Sequence, residues 1–385
     1  MKLNLLLNSE QRQLRDTVRR FAEREVAPRA AEIDRSDEFP RDLYEKMGEL
    51  GLLGLVLPED AGGAGADMVS QALVQEELAR ASAMIANAQV TPLEEGLSIY
   101  EHARPELRDR YLPGIVSGKL IPAFGLTEPG AGSDAASIQT TAVKDGEDWL
   151  LNGTKQFVTA GALAEVVIVV AVTDKSQGPR GISMFLVDAK SPGVTVGRRE
   201  DLLGVRGLGT AALHFSDVRV SADRLMGEEG RGLRQSLSTI DLGRISTAAM
   251  ATGIAQAAFE AALRYTQDRV QFGQPIFEFQ AVQFKLAEMA TKIDAARLLY
   301  LHAAAAKDSG ERMILESSEA KFFATDMAGW VTDEALQLFG GYGYTKEYPV
   351  ERYLRDAKLC QIFEGTNNIQ QMVIARELKR SITAA

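Results

Sequence analysis

The chain has 385 residues, of which 45% are hydrophobic and 25% are charged, and its formal net charge is -10. A chain of this length exceeds the size at which a single hydrophobic core stops growing, so we expect two or three domains or subdomains. The net acidity disfavours nucleic acid or an anionic membrane as a partner, because both select basic surface.

The chain has a single cysteine, Cys360, and three widely separated histidines, His102, His214 and His302. These numbers exclude an internal disulfide framework and predict no metal site from local spacing. The apolar patch at the amino terminus is too short for a secretory signal, and no run approaches the roughly 18 apolar residues of a membrane span. The sequence therefore predicts a cytoplasmic protein.

The first part of the chain, residues 1–120, is predicted to be an all-α amino-terminal domain. Asn8 or Ser9 can cap a helix whose apolar residues recur every three or four positions and which stops near Pro28. A second helix is predicted around Met47, and a third from Val69 to Ala83.

Two segments of this domain have more than one interpretation. The glycine-rich stretch 62–65 could cradle a phosphate, but no strand precedes it, so an inter-helix loop is favoured. Thr91 and Pro92, followed by Glu94 and Glu95, are predicted to begin a helix as a cap, a first-turn proline and two acids. A polar substrate pocket that uses Glu94 or Glu95 is the other interpretation.

From about residue 121 to 225 the apolar residues alternate, which predicts a small β domain, either a barrel or a sandwich. The pair Asn152–Gly153 predicts a type I′ hairpin turn. The strands are expected at Trp149–Leu151, Lys155–Thr159, Val166–Val172, Ile182–Val187, Val194–Gly197 and Leu213–Phe215.

Residues 226–385 contain long alanine-rich helical patterns joined by short breaks, which predict a carboxy-terminal antiparallel four-helix bundle. The four helices are expected at Gly232–Asp268, Gln280–Lys307, Glu311–Phe339 and Thr366–Lys379. The fold class is therefore α+β, with the β domain between two helical domains.

Two motifs near the β domain are typical of ligand contacts. Phe124–Asp134 carries the hydroxyls of Thr127 and Ser133 among glycines that let backbone N–H groups approach a ligand, although an ordinary loop uses the same residues. Phe157 and Thr159 are predicted to lie on one side of a strand, where they would suit a planar heteroaromatic ligand or simply pack in the core.

Three further motifs lie in the helical bundle. Asp241 and Arg244 share a helix face and could pair with each other. The helix break 269–280 carries a guanidinium and an aromatic ring that suit a pyrophosphate and an adenine. Glu364 follows an apolar pair and precedes Gly365, so it is either a carboxylate held near a working pKa or an ordinary first-turn acid.

Five motifs together resemble the acyl-CoA dehydrogenase family in order and approximate spacing. They are TEPGAGSD, NGTKQFVT, DRVQFGQPI, QLFGGYGY with EYPVERYLRDAK, and QIFEGTNNIQ, and the resemblance covers essentially the whole chain. It implies the same helix, sheet and helix architecture, one FAD per subunit, an acyl-CoA substrate and a role in fatty acid metabolism. It also implies a homotetramer, or less often a dimer, and an electron-transfer flavoprotein as the electron acceptor.

The resemblance also implies which residues form the site. Within one subunit the FAD contacts would be Phe124, Leu126, Thr127, Gly132, Ser133, Phe157, Val158, Thr159, Thr366, Asn367 and Asn368. Contacts to the FAD of a neighbouring subunit would be Arg269, Phe272, Gln280, Gln337, Leu338, Phe339, Gly340 and Gly341. Contacts to the acyl-CoA would be Ser133, Asp241, Arg244 and Gly365.

The implied reaction is α,β-dehydrogenation to a trans-2-enoyl-CoA, with Glu364 as the base that takes the α-proton. Some relatives carry their base on the helix near Asp241, but this chain has Gly243 at that position. The alternatives are an acyl-CoA oxidase, and a dehydrogenase or eliminase for a branched, cyclic, aromatic or carrier-bound acyl group. A non-catalytic flavin- or CoA-binding module is a third interpretation.

Overall fold

The structure is a computed structural model, and it describes residues 6–384. Its first part consists of helices that pack around a shared apolar core with the carboxy-terminal helices. The helices of the first part are α1 Ser9–Phe21, α2 Ala30–Ser36, α3 Arg41–Glu49, α4 Met68–Ala81, α5 Ala83–His102 and α6 Pro105–Val116.

The first helix begins at the predicted cap. The Asn8 side chain accepts a hydrogen bond from the backbone N–H of Gln11, and the Gln11 side chain accepts one from the N–H of Asn8. This reciprocal capping box satisfies two N–H groups that would otherwise lack partners at a helix start. The helix ends at Phe21, and a short irregular helical segment that contains Pro28 leads into α2.

The prediction that Thr91 and Pro92 begin a helix is wrong. Helix α5 begins at Ala83 and continues through Pro92, which is buried. The Thr91 hydroxyl donates a hydrogen bond to the carbonyl of Asn87 at 3.0 Å. This bond gives the carbonyl a partner in the turn where the proline disturbs the helix. Burial of this turn outweighs the local preference of proline for the start of a helix. Because the helix is continuous, Glu94 lies in the middle of α5.

The central part is an eight-stranded sheet. Its strands are β1 Pro122–Gly125, β2 Thr141–Asp145, β3 Asp148–Val158, β4 Val166–Val172, β5 Ile182–Asp188, β6 Val194–Arg199, β7 Ala211–Val220 and β8 Leu225–Met226. The strand order is β6-β7-β3-β2-β4-β5-β8, and β1 pairs in parallel with β4. Alternate residues of β4 face two different apolar cores, one on each side of the sheet. The two ligand motifs lie at the ends of β1 and β3.

The predicted hairpin at Asn152–Gly153 is also wrong. Strand β3 runs through both residues, with an irregularity in its pairing with β7. A Cβ atom at Gly153 would lie 2.7 Å from the Cα of Thr140, so the glycine permits a close approach between backbones and makes no turn. The actual β2–β3 turn contains Gly146, whose φ is 64°.

The end of β3 also differs from the prediction. The backbone of Phe157 is left-handed, with φ of 54°, and the strand ends at Val158. Phe157 and Thr159 therefore do not alternate along one strand. The Phe157 side chain is 59% exposed, whereas Val158 is buried in the sheet core.

The third part is a helical bundle. Its helices are α7 Gly232–Asp268, α8 Gln280–Asp308, α9 Ile314–Phe339, α10 Val350–Cys360 and α11 Asn367–Ala384. A small hairpin of β9 Val270–Gln271 and β10 Gln274–Pro275 joins α7 to α8, and α7 packs against α4, α5 and α9. Helix α10 was not predicted. Within residues 6–384, no helix combines the length and the apolar character needed to cross a membrane.

Candidate active site

Glu364 lies in the short loop between α10 and α11. Both Glu364 and Gly365 have left-handed backbones, with φ of 54° and 82°. For a glutamate this conformation is strained, and such strain is held only where the surroundings determine it. Here the Gln370 amide donates to the carbonyls of both residues, at 3.0 and 2.9 Å.

The loop ends where α11 begins. The Thr366 hydroxyl accepts a hydrogen bond from the N–H of Ile369 at 3.4 Å, which is a capping contact at the start of this helix. Because α11 begins at Asn367, Glu364 precedes the helix and is not a first-turn acid. Asn368 is exposed beside it.

Lys321 of α9 holds the same loop and was missed from the sequence. It is fully buried, and its ammonium donates to the Gly365 carbonyl at 2.9 Å and to the Asn367 side chain at 3.0 Å. Burial lowers the pKa of Lys321 to about 8. A lone lysine within an alanine-rich helix was the signal that could have revealed it.

The Glu364 carboxylate faces α7. Its Oε2 atom is enclosed and has no hydrogen-bond partner among the described residues. A Cβ atom placed on Gly243 would lie 2.7 Å from this oxygen, so the glycine leaves room for the carboxylate. Burial raises the pKa of Glu364 to about 7, and the positive charges of Arg244 and Lys321 limit that rise.

Glu94 of α5 approaches the same position beside Gly243. Its Oε1 atom would lie 2.8 Å from the same Cβ position on Gly243. Burial, the charge of Glu364 and the charge of Glu95 raise the pKa of Glu94 well above its usual range. Two carboxyl groups therefore meet at Gly243, from elements far apart in the sequence.

Asp241 and Arg244 pair as expected, at 2.6 Å. Arg244 also donates to the Ser318 hydroxyl at 3.3 Å, and its Nε atom is enclosed without a partner in the described part of the chain. Asp241 lines a cavity of about 210 Å³ between α5, α7 and the end of α8, which also contains Leu97 and Lys307. The cavity therefore offers a ligand both charged and apolar side chains.

The motif 127–133 is fixed by an ion pair that the sequence did not reveal. Lys155 is fully buried and donates to Glu128 at 2.7 Å and to the Leu126 carbonyl at 3.1 Å. Glu128 also accepts from the N–H groups of Gln139 and Thr140, at 2.6 and 2.9 Å. The tip of the loop, with Gly130, Gly132 and Ser133, is thereby held open to solvent.

The strand end and this loop form one surface. The N–H of Gln156 donates to the Thr127 carbonyl at 2.8 Å, which brings Thr127 beside Phe157 and Thr159. Phe124 and Leu126 are half-buried at the base of the loop. An exposed aromatic ring beside open glycines fits the planar flavin that the family resemblance implies, whereas Val158 can contribute only its backbone.

A second cleft lies at the far end of the bundle. It has a volume of about 560 Å³, and its lining includes Arg269 and residues 337–341. The Arg269 guanidinium stands 5.5 Å from the centre of the Tyr342 ring, and the Phe339 ring is buried against Tyr265. Phe272, at the tip of the β9–β10 hairpin, is 94% exposed, and neither it nor the exposed Gln280 lines this cleft.

We predict that Gly243→Ala lowers the rate of the α-proton removal expected at Glu364 by about a hundredfold, because the new methyl group displaces both carboxylates. The colliding atoms are flexible side-chain ends, so the fold should be retained. Gly329→Ala in α9 is the matched control, since its nearest neighbour is Gln361 at 3.4 Å. Equal activity in the two variants would show that the carboxylates need no such space.

Comparison with protein families matches the whole architecture. Residues 8–119, 123–218 and 230–379 match the amino-terminal, middle and carboxy-terminal domains of acyl-CoA dehydrogenase. No group of described side chains is arranged to hold a metal ion.

Individual relatives are similar over nearly their full length. A probable acyl-CoA dehydrogenase of Bacillus subtilis (strain 168) is 46% identical over 98% of this chain and 100% of its own length. A chain from the structural study of the electron transferring flavoprotein of Acidaminococcus fermentans is 44% identical, with a TM-score of 0.94 and coverage of 97% and 98%. Butyryl-CoA dehydrogenase from Megasphaera elsdenii is 41% identical, with the same TM-score and coverage.

Proposed function

Because the chain belongs to the acyl-CoA dehydrogenase family of FAD-dependent oxidoreductases, we propose that it dehydrogenates an acyl-CoA thioester to a trans-2-enoyl-CoA, with Glu364 as the base. The observation that carries this proposal is the enclosed, unpartnered Oε2 atom of Glu364. A buried carboxylate without a partner costs stability, and such groups are concentrated at functional sites.

The position of Glu364 suits removal of an α-proton. Its pKa of about 7 makes the carboxylate a stronger base than an ordinary glutamate while leaving much of it ionised near neutral pH. Gln370 and Lys321 fix the loop backbone, so the carboxylate is held in place before substrate binds. The N–H of Glu364 donates to no backbone acceptor in the described residues and can meet the charge that develops on the thioester oxygen.

The substrate contacts proposed here follow from the same geometry. Arg244 and Asp241 lie next to Gly243 on α7, and Gly365 follows the base directly. The cavity beside Asp241 would receive the pantetheine arm, and Ser133 on the exposed loop would meet it nearer the sheet. In this arrangement the thioester lies between α7 and the Glu364 loop.

FAD, when bound, supplies the acceptor for the hydride that leaves the β-carbon. We place its ring against the surface of Thr127, Phe157 and Thr159, where Lys155 and Glu128 hold the loop open. Thr366 and Asn368 would contact the FAD from the Glu364 loop, while the side chain of Asn367 is occupied by Lys321 and Thr325.

The second cleft supports a homo-oligomer, either a tetramer or a dimer. Arg269 and residues 337–341 line a cleft of about 560 Å³. Val270 and Phe272 of the same hairpin are 52% and 94% exposed, so the hairpin presents apolar surface that a partner could cover. We propose that this cleft and the hairpin tip contact the FAD of a neighbouring copy.

The proposed electron acceptor is an electron-transfer flavoprotein. The similar chain from the Acidaminococcus fermentans study supports this choice. Rapid turnover with such an acceptor and slow oxygen consumption without it are the expected results, and fast peroxide formation would instead indicate an oxidase.

The proposal is tested by mixing the purified flavoprotein anaerobically with a panel of acyl-CoA thioesters. We expect loss of the flavin's visible absorbance and a product lighter by two hydrogen atoms, detected by mass spectrometry. A protein that takes up no FAD, or one that binds FAD but is bleached by no thioester, would overturn the proposal.

The pH dependence of kcat/KM should follow the protonation of Glu364. Below its pKa the group carries a proton and cannot accept another, so kcat/KM should rise with pH and level off above about 7. FAD content and folding should be measured over the same range as the control. A profile that is already level at pH 5 would mean that Glu364 titrates like an ordinary glutamate or is not the base.

A further inference from the structure

The acyl end of the site contains more acid than the proposed reaction requires. Glu94 and Glu95 of α5 accompany Glu364, although proton removal needs only one carboxylate. Glu95 is only 6% exposed, and its Oε2 atom has no hydrogen-bond partner among residues 6–384. Ser98, one turn after Glu94, is 2% exposed, and its hydroxyl is also unpartnered there.

The nearby cations are engaged elsewhere. Arg244 pairs with Asp241 at 2.6 Å, and Lys321 donates to the Gly365 carbonyl and to Asn367. In the described part of the chain, no side chain forms an ion pair or hydrogen bond with Glu94 or Glu95. Carboxyl groups buried in this way cost stability unless something that binds later supplies the missing partner.

The electrostatics agree with a missing positive charge. Burial and the charge of Glu364 raise the pKa values of both Glu94 and Glu95 well above the usual range, and only a backbone hydrogen bond at Glu95 opposes the rise. Tyr44, whose own pKa burial raises, also lies close enough to Glu95 for their charges to interact. A cation in this space would favour the ionised form of both carboxyl groups.

We propose that the acyl group of the substrate carries a cationic nitrogen, an ammonium or substituted ammonium, which Glu94 and Glu95 receive. This inference rests on the proposed function, because the α-carbon must lie at Glu364. Glu94 Oε1 and Glu364 Oε2 lie 2.8 and 2.7 Å from one position beside Gly243, so the cation lies a few bonds beyond the α-carbon. The Ser98 hydroxyl can accept a hydrogen bond from an N–H group of the same ligand.

A plain hydrocarbon chain fits these observations poorly. It would leave Glu95 Oε2 and the Ser98 hydroxyl without partners and would bury Glu94 against methylene groups. A site whose polar groups are unpaired binds weakly any ligand that cannot form hydrogen bonds or ion pairs with them. The site should therefore prefer the cationic acyl group over a neutral one of the same shape.

The test uses two pairs of CoA thioesters matched in shape. One pair is γ-trimethylammoniobutyryl-CoA and its carbon isostere, in which a tert-butyl group replaces trimethylammonium. The other is freshly prepared δ-aminovaleryl-CoA and hexanoyl-CoA. For each pair the ratio of kcat/KM, cationic to neutral, is measured by anaerobic flavin reduction with the holoenzyme.

We expect the ratio to exceed about tenfold in the wild type and to fall towards one in Glu94→Gln and in Glu95→Gln. An effect of either substitution on the base Glu364 changes kcat/KM for both members of a pair, so it cancels in their ratio. A wild-type ratio of one or less in both pairs would overturn the inference while leaving the proposed function intact, since the neutral thioester would still bleach the flavin. A high ratio that both variants retain would show that other groups recognise the cation.

A second measurement does not depend on turnover or on the stability of the α5 variants. The Glu364→Gln holoenzyme is titrated calorimetrically with γ-trimethylammoniobutyryl-CoA and with its tert-butyl isostere, in buffers of different ionisation enthalpy. We expect the cationic ligand to bind more tightly and to release protons that the isostere does not release, because it ionises Glu94 and Glu95. Equal affinity and equal proton release for the two ligands would contradict the inference.

Discussion

Glu364→Gln is expected to abolish reduction of the flavin by substrate while FAD and acyl-CoA binding remain. The amide has the shape of the carboxylate but cannot accept the α-proton, and a positioned general base contributes about 10²–10⁴-fold to a rate. The backbone contacts of the loop come from Gln370 and Lys321 and do not involve the Glu364 side chain, so the fold should be unchanged. Stopped-flow absorbance and calorimetric binding of acyl-CoA measure the two properties separately.

Glu147→Gln is the control for that experiment, because Glu147 is exposed in the turn between β2 and β3. It should reduce the flavin at the wild-type rate. If Glu364→Gln also retained a near-native rate, the base assignment would fail even though the family membership would stand. Glu94 would then be the nearest carboxyl group to reconsider, since it reaches the same position beside Gly243.

Lys155→Met is expected to lower the free energy of unfolding by about 3–5 kcal/mol and to weaken retention of FAD. The change removes one partner of a buried pair and leaves the Glu128 carboxylate enclosed without its cation. In the native protein, burial lowers the pKa of Lys155 to about 8 and the hydrogen bond to Glu128 opposes that shift. Loss of this contact also frees the loop that carries Thr127 and Ser133. Denaturant unfolding and the FAD content after gel filtration measure the two effects.

Lys144→Met is the matched control on the neighbouring strand. Lys144 pairs with Glu229 at 3.0 Å, but both side chains are exposed, so the expected loss is at most about 1 kcal/mol. The double variant Lys155→Met with Glu128→Gln should recover part of the loss, because it removes the unpaired charge. Equal destabilisation by the two lysine variants would mean that the buried pair does not fix the loop.

The elements predicted most accurately are those whose pattern is local. Strand Val166–Val172 and helix Gly232–Asp268 have the bounds that the sequence predicts, because an unbroken apolar run and a long alanine-rich stretch leave few alternatives. The order of helical, β and helical segments was predicted for the same reason.

The errors arise where tertiary contacts outweigh local preference. Pro92 is an ordinary helix-start signal, yet it is buried within α5. Asn152–Gly153 is a strong turn signal, but the close approach of Thr140 explains the glycine. Neither contact is visible in the residues beside the motif.

The site itself was predicted only in part, and mainly from the family resemblance. The spacing around Glu364 does not distinguish a base from a helix-capping acid, whereas the structure shows a strained loop ahead of the helix. The contact of Lys321 with the Gly365 carbonyl and the meeting of Glu94 with Glu364 could not be predicted, because each joins segments that are distant in the chain.

The most direct test of the central claim is a single-turnover measurement with the wild-type holoenzyme and α-deuterated acyl-CoA. If Glu364 removes the α-proton as hydride leaves the β-carbon, the α-C–H bond breaks in the step that reduces the flavin. The deuterated substrate should then bleach the flavin severalfold more slowly than the unlabelled substrate. Bleaching that is insensitive to α-deuterium, or the absence of bleaching by any thioester, would contradict it.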